Sequence, residues 1–259
     1  MSILDYDWSL IWDNREALLN GLLTAISVAL VALVISVVFG LLLAVLRMGP
    51  KPLSWIALVY VNIFRGVPAL VSVIWVYFGV ALLIGVRFTV FQAGVIALTL
   101  LYSAFFSEIF RAALLAVPSG HTEAGWALGM RSTQIFFSVT LPQAIKIAIP
   151  NIGSLFIGMV KDTSTFTVIG LLEVVRVTQN LVAATFQPFV LYTAAAIIYV
   201  LAAFVIDLVF RLIEGAYVRP PLGGVGRLLR ARQSRQIATI IERTKAGALS
   251  TTTVRTTPQ

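Results

Sequence analysis

Residues 17–46 contain no Asp, Glu, Lys or Arg. No other feature constrains the chain as strongly, because thirty such residues at about 1.5 Å each make roughly 45 Å of helix, more than the ~30 Å hydrocarbon core of a bilayer. A run of that length and polarity has to span a membrane, either tilted or emerging from it at one end. Composition agrees: 59% of the 259 residues are hydrophobic, 12% are charged and the mean hydropathy is +0.96, beyond what a soluble domain carries. The absence of cysteine excludes disulfides, thiolate nucleophiles and cysteine zinc sites, and leaves the redox compartment undetermined. His121 is the single histidine and reads as a surface residue, so no metal site is expected.

The flanks of this first span set an orientation. Residues 1–16 carry Asp5, Asp7, Asp13 and Glu16 against Arg15, together with Trp8 and Trp12, which suits a segment lying at the outer membrane face. Arg47 to Pro52 is a short basic turn, expected on the inner face. Further apolar runs follow at 55–84, at 88–115 and from Lys146 onward, where only 147–160 is uncharged, and then at 189–213. The expected fold is all-α, a polytopic bundle of about five transmembrane helices within residues 17–216. With the amino terminus outside, Arg15, Arg87, Lys161 and Arg176 lie outward and the other fifteen bases inward, as the positive-inside rule requires. Residues 217–259 form a basic tail of net charge +7 with no aromatic beyond Tyr217. It is expected to be disordered, in contact with anionic inner-leaflet lipid rather than nucleic acid.

Several polar residues interrupt the apolar runs. Arg65-Gly66-Val67-Pro68 combines a charge with a helix-breaking pair, which membranes tolerate where backbone is buried or lines a cavity; snorkelling of Arg65 to headgroups is the plain alternative. Ser107 precedes Glu108, which stands at i, i+3 from Arg111, the spacing of a helix surface pair. Lys161 and Asp162 begin the stretch Lys161-Asp162-Thr163-Ser164 and fall within the membrane, since the fourteen uncharged residues before them give only about 21 Å of helix. They either serve a polar path or neutralise each other. Glu173 and Arg176 are assigned to an outer amphipathic piece, and Asp207 and Arg211 to an i, i+4 pair.

The segment 118–142 differs from everything around it. Pro118 ends one helix, Ser119 or Thr122 can cap the next with Glu123 in its first turn, and Gly129 can stop it after about two turns. Ala124, Gly125 and Ala127 are small, Trp126 and Leu128 are large, and a second helix starts at Ser132 or Thr133 and runs to Leu141-Pro142, where proline breaks the ladder. The unit reads as a connector between two spans or as a knob for a partner protein. Glu123-Ala124-Gly125, then Gly129, Val139, Leu141 and Pro142 resemble in type and spacing the EAA loop of the membrane subunits of ATP-binding-cassette importers, with Gly125 in place of the second alanine and Val139 in place of isoleucine. The Phe64-Arg65-Gly66-Val67-Pro68 and Lys161-Asp162-Thr163-Ser164 stretches are similar to signatures of the polar-amino-acid branch of that family.

The resemblance implies a type I importer permease whose loop at Glu123 to Gly129, with Leu141 and Pro142 behind it, docks on an ATPase subunit. It implies an extracytoplasmic binding protein that delivers a small polar solute, a second permease subunit, and a path near Lys161 to Ser164. Within that path Asp162, assisted by Glu108, is expected to meet an ammonium, the broken backbone at Gly66 to Pro68 with Arg65 a carboxylate, and Ser107, Thr163 and Ser164 to supply neutral hydrogen bonds. No G-x-x-x-x-G-K-[ST] sequence is present, so ATP and magnesium belong to the partner and the chain is a transport subunit, not an enzyme. An ion-coupled secondary transporter would be expected to show internal repeats, and a membrane-embedded enzyme would need a nucleophile and base or a metal cluster. Only the importer reading accounts for 118–142.

Overall fold

A computed structural model describes residues 6–217; the expectations for the basic tail lie outside the described residues. Every regular element among them is helical. A short α1 (Ser9–Asp13) leads into α2 (Arg15–Arg47), followed by α3 (Lys51–Gly66), α4 (Ala69–Ile74), a π-helical segment (Trp75–Val80) and α5 (Ala81–Ile84). Then come α6 (Val90–Leu115), α7 (Ser119–Ala127), α8 (Ser132–Ile135), a second π segment (Phe136–Thr140), α9 (Leu141–Asp162), a 3₁₀ segment (Thr163–Ile169), α10 (Val174–Thr185) and α11 (Pro188–Tyr217). Met1–Glu214 is one compact unit; of the second, Gly215–Gln259, the described residues are the last turn of α11.

Among the described residues, four helices are long and apolar enough to cross a membrane: Arg15–Arg47, Val90–Leu115, Ser132–Ile169 and Pro188–Tyr217. The fifth expected span is a bent pair, Lys51–Gly66 and Ala69–Ile84, which meet at 108°. The cause is local. Val67 precedes a proline and is driven out of the helical region, and both Val67 and Pro68 are extended. Each half has 16 residues, about 24 Å, and falls short of a ~30 Å core. Residues 55–84 are therefore not one continuous helix, and the count reaches five when the bent pair is taken as one broken span.

The fourth span also departs from expectation. Pro142 does not end the second helix of the loop, because it sits in the first turn of α9, where its missing N–H is least costly. The π segment just before it widens the turn and lets the rod continue. Ser132–Ile169 is thus one 38-residue helix of roughly 57 Å, and the short uncharged stretch 147–160 is lengthened by the loop itself. Lys161 and Asp162 lie at the end of α9, inside this 38-residue helix.

The centre of the bundle is α6, which buries Leu98, Phe106 and Phe110 against α2 and α9. Small residues make this possible. On α2 the buried positions Gly21, Ala25, Ala29, Ala32, Ser36, Gly40 and Ala44 form a narrow stripe of the kind that lets membrane helices approach closely. A Cβ on Gly40 would stand 2.4 Å from Phe106 Cβ, and one on Gly21 would stand 2.9 Å from the backbone nitrogen of Val174. The opposite face of α2 leaves Leu23, Val34 and Val38 exposed, as a lipid-facing surface does.

Candidate functional site

The loop that the sequence singled out is a nine-residue helix docked on a stalk. α7 begins directly after Pro118, whose position offers no side-chain cap; neither Ser119 nor Thr122 supplies one, and Glu123 lies past the first turn. The other end follows the sequence. Gly129 has φ +74°, a conformation open to glycine at little cost. Its N–H donates to Trp126 O at 2.9 Å and the N–H of Met130 to Gly125 O at 3.0 Å, which together make a complete Schellman stop.

Gly125 is the one buried residue of α7, and a Cβ there would lie 2.8 Å from Ile135 Cγ1. That contact is the physical reason for glycine where the resembling loops carry alanine: the stalk's first turn occupies the space. On the open side, Glu123, Ala124 and Ala127 are exposed, and Trp126 and Leu128 are 57% and 80% exposed. A large aromatic and a leucine held out on a rigid, capped helix form a surface suited to a cleft in a protein partner. Behind it, Leu141 is half-buried and Pro142 exposed at the start of α9.

Glu108 is not half of a simple surface pair. Arg47 Nη1 and Arg65 Nη1 reach its Oε1 at 2.9 and 3.0 Å, and Arg111 Nε stands 3.5 Å from Oε2. One carboxylate thus joins α2, α3 and α6, and Arg65 also lies over the Phe105 ring. Ser107 is fully buried beside it.

Asp162 and Lys161 do not neutralise each other. Lys161 is exposed and makes no ion pair among the described residues; neighbouring positions on a helix point about 100° apart. Asp162 instead accepts a hydrogen bond from Tyr102 OH at 2.9 Å. Tyr102 precedes Glu108 by six residues on α6, about 9 Å of helix rise, and no hydrogen bond or ion pair links Asp162 to Glu108 among the described residues. Thr163 is buried and donates to Val160 O at 2.7 Å, while Ser164 is half-buried. At the break, Gly66 has open space around it, Val67 is half-buried and Pro68 exposed; α4, which follows, packs against the 3₁₀ segment that begins at Thr163. The fold therefore brings Arg65 to Glu108 and sets α4, the helix that follows the break, against the segment that follows Asp162.

Three features escaped the sequence reading. Glu173 is fully buried and caps α10, accepting the N–H groups of Val175 and Arg176 at 2.8 Å each and Tyr199 OH at 2.7 Å; it is not a surface partner of the Arg176 side chain. The tyrosines Tyr102 and Tyr199 are the second feature. Their available signal was a phenol inside an apolar run, which must find a partner when buried. The third is the link between His121 Nδ1 and Gln143 Oε1, 2.9 Å apart.

Residues 36–219 match the family described as binding-protein-dependent transport system inner membrane component. The chain is 32% identical to the glutamine transport system permease protein of Escherichia coli K12 over 82% of its own length and 97% of that protein. It is 35% identical to the L-cystine transport system permease protein of Bacillus subtilis over 80% and 89%. Among solved structures, one titled as an amino acid ABC transporter with histidines superposes with TM-score 0.75 at 31% identity, covering 83% of this chain and 99% of that one. A methionine ABC transporter in an inward-facing form shares the fold at TM-score 0.70 and 22% identity, covering 80% and 99%. A bundle of four membrane-length helices and one bent pair, a capped helix presented at its surface, and these matches over most of the chain have one reading: the protein belongs to the family of binding-protein-dependent transport system inner membrane components, as a membrane-spanning permease subunit of an ATP-driven importer.

Proposed function

We propose that this permease moves a polar amino acid, delivered by an extracytoplasmic binding protein, and that α7 docks on the ATPase subunit that hydrolyses magnesium-ATP. The observation that carries the coupling role is the exposed Trp126 and Leu128 on a helix closed by a Schellman turn. Glu123, Ala124 and Ala127 share that open surface, while Gly125, Gly129, Leu141 and Pro142 shape its support. Because α7 is seated on the helix Ser132–Ile169, displacement of α7 is passed to a helix that continues into the membrane-length part of the bundle. The substrate class rests on relatives whose names specify glutamine and cystine, and on the polar groups near Thr163.

In the path, Asp162 receives the ammonium of the solute, and the free backbone around Gly66 to Pro68 meets its carboxylate, as broken membrane helices do for anionic groups. Ser107, Thr163 and Ser164 contribute neutral partners. Arg65, Lys161 and Glu108 set the local charge; Glu108 acts through its three arginines. The amino terminus lies outside, the carboxyl terminus is cytoplasmic, and two permease subunits, identical or related, enclose the path. The domain layout is an outer-face lead over residues 1–16, a permease body over 17–216 with its coupling loop at 118–142, and a lipid-contacting tail over 217–259.

The test is reconstitution with the ATPase and binding protein in liposomes, following radiolabelled glutamine, arginine and cystine. Uptake that requires ATP and the binding protein is expected; uptake driven by an ion gradient without ATP would overturn the reading. Reporter fusions at Ser2 and Gln259 should report opposite compartments.

A further inference from the structure

α7 packs on α8 and on the π segment Phe136–Thr140, and two contacts with the stalk bear on its rotation. At the first, the bare backbone of Gly125 lies against Ile135, a steric contact that allows α7 to pivot. The second is one turn earlier, on the same face of the helix (i, i+4): His121 Nδ1 meets Gln143 Oε1 at 2.9 Å. Gln143 is itself held, because its Nε2 donates to Val139 O at 2.8 Å, inside the π segment that precedes Pro142. With the amide nitrogen committed to Val139, the amide oxygen faces the imidazole and can only accept, so Nδ1 is the donor. A hydrogen-bond chain thus runs from the first turn of α7 to the irregular turn of the rod.

We propose that His121 and Gln143 form a strut, a positioning pair that blocks rotation of α7 about the Gly125–Ile135 contact and so makes displacement of α7 move the rod. The steric packing around Gly125 sets where α7 sits, and the polar tie one helical turn earlier sets its rotation. Anchoring at the π segment matters because π turns and a proline lie where a helix yields most easily, so the strut enters the rod where a push would otherwise be absorbed. The inference rests on the reading of α7 as the ATPase-docking helix, and adds two residues to those assigned to that loop.

The chain has no native cysteine, so spin labels on Ser119→Cys and Ile147→Cys, both exposed positions, report the seating of α7 in the assembled, lipid-reconstituted importer. With His121 and Gln143 intact, the distance distribution is expected to be narrow both without nucleotide and after ATP–vanadate trapping. His121→Phe and Gln143→Leu should each broaden it about twofold, as a second orientation of α7 becomes populated. Gln143→Glu, which keeps an acceptor oxygen toward His121, should restore the narrow form. The pair His121→Phe with Gln143→Leu should be no broader than either alone. Unchanged width in both single variants, or additive broadening in the pair, would overturn the strut. Loss of the ATPase from either single variant would also overturn it, since the side chains would then belong to the docking face. Docking is tested separately by Leu128→Asp: if that variant retains the ATPase, the docking reading fails, whatever the label widths show.

Discussion

The two ends of the rod Ser132–Ile169 are built by different means. At the α7 end, shape comes from backbone: Gly125 lets α7 lie against Ile135, Gly129 turns the chain into the left-handed region, and Pro142 is accommodated by a π segment. At the far end, shape comes from side chains of distant helices. Asp162 is held by Tyr102 of α6, and Glu173, two helical elements later, by Tyr199 of α11 and the first N–H groups of α10. A surface that must transmit force needs stiffness, which the closed cap of α7 and its ties to the stalk provide. A membrane region that handles polar groups needs donors for its buried carboxylates, and a tyrosine hydroxyl satisfies a carboxylate oxygen without cancelling its charge, as an arginine would. Glu108, set among three arginines, shows the other solution, at a cluster that also ties three helices together.

Substitutions can break this contrast. The largest effect is expected for Gly129→Val: a β-branched residue at φ +74° costs at least about 1–2 kcal/mol, opens the stop of α7, and should abolish both uptake and transport-linked ATP hydrolysis while the protein stays in the membrane. Undiminished uptake would refute the coupling role of the loop. Asp162→Asn should come next, separating the two ends cleanly. It retains size and hydrogen bonding to Tyr102 but loses the charge, so uptake is lost while assembly and ATPase activity persist; normal uptake, or failure of assembly, removes Asp162 from the path.

Gly125→Val should give partial uncoupling, since its side chain must displace Ile135; overpacking of this kind costs about 1–3 kcal/mol, and Ile135→Ala in the same chain should recover much of the loss. Gly215→Ala is the control, with nothing beyond its own helix backbone and chain neighbours within 4 Å of the added Cβ, and should leave uptake near normal. The smallest effect is expected for Tyr102→Phe, which deletes one hydrogen bond, worth about 1 kcal/mol, and should lower the thermal midpoint slightly with uptake reduced but present. A loss as complete as that of Asp162→Asn would mean that the tyrosine itself meets the solute.

What the sequence determined by itself was whatever depends on composition and near neighbours. The uncharged run 17–46 required a membrane span, Val67-Pro68 required a break, and Gly129 behind a short helix required a stop, because hydrophobic length and φ/ψ limits act within a few residues. The same local rules misled where the tertiary structure had a second option: Pro142 ends a helix only if the turn before it cannot widen, and Lys161 beside Asp162 or Glu173 beside Arg176 look like pairs only in one dimension. Which helix supplies the partner of a buried carboxylate is fixed by packing. Tyr102 lies sixty positions from Asp162, Tyr199 twenty-six from Glu173 and Arg65 forty-three from Glu108. Those meetings were decided when the small-residue stripe of α2 let α6 into the centre of the bundle, since the cost of leaving a charge unpaired in a membrane is then settled by whichever side chains the packed helices bring within reach.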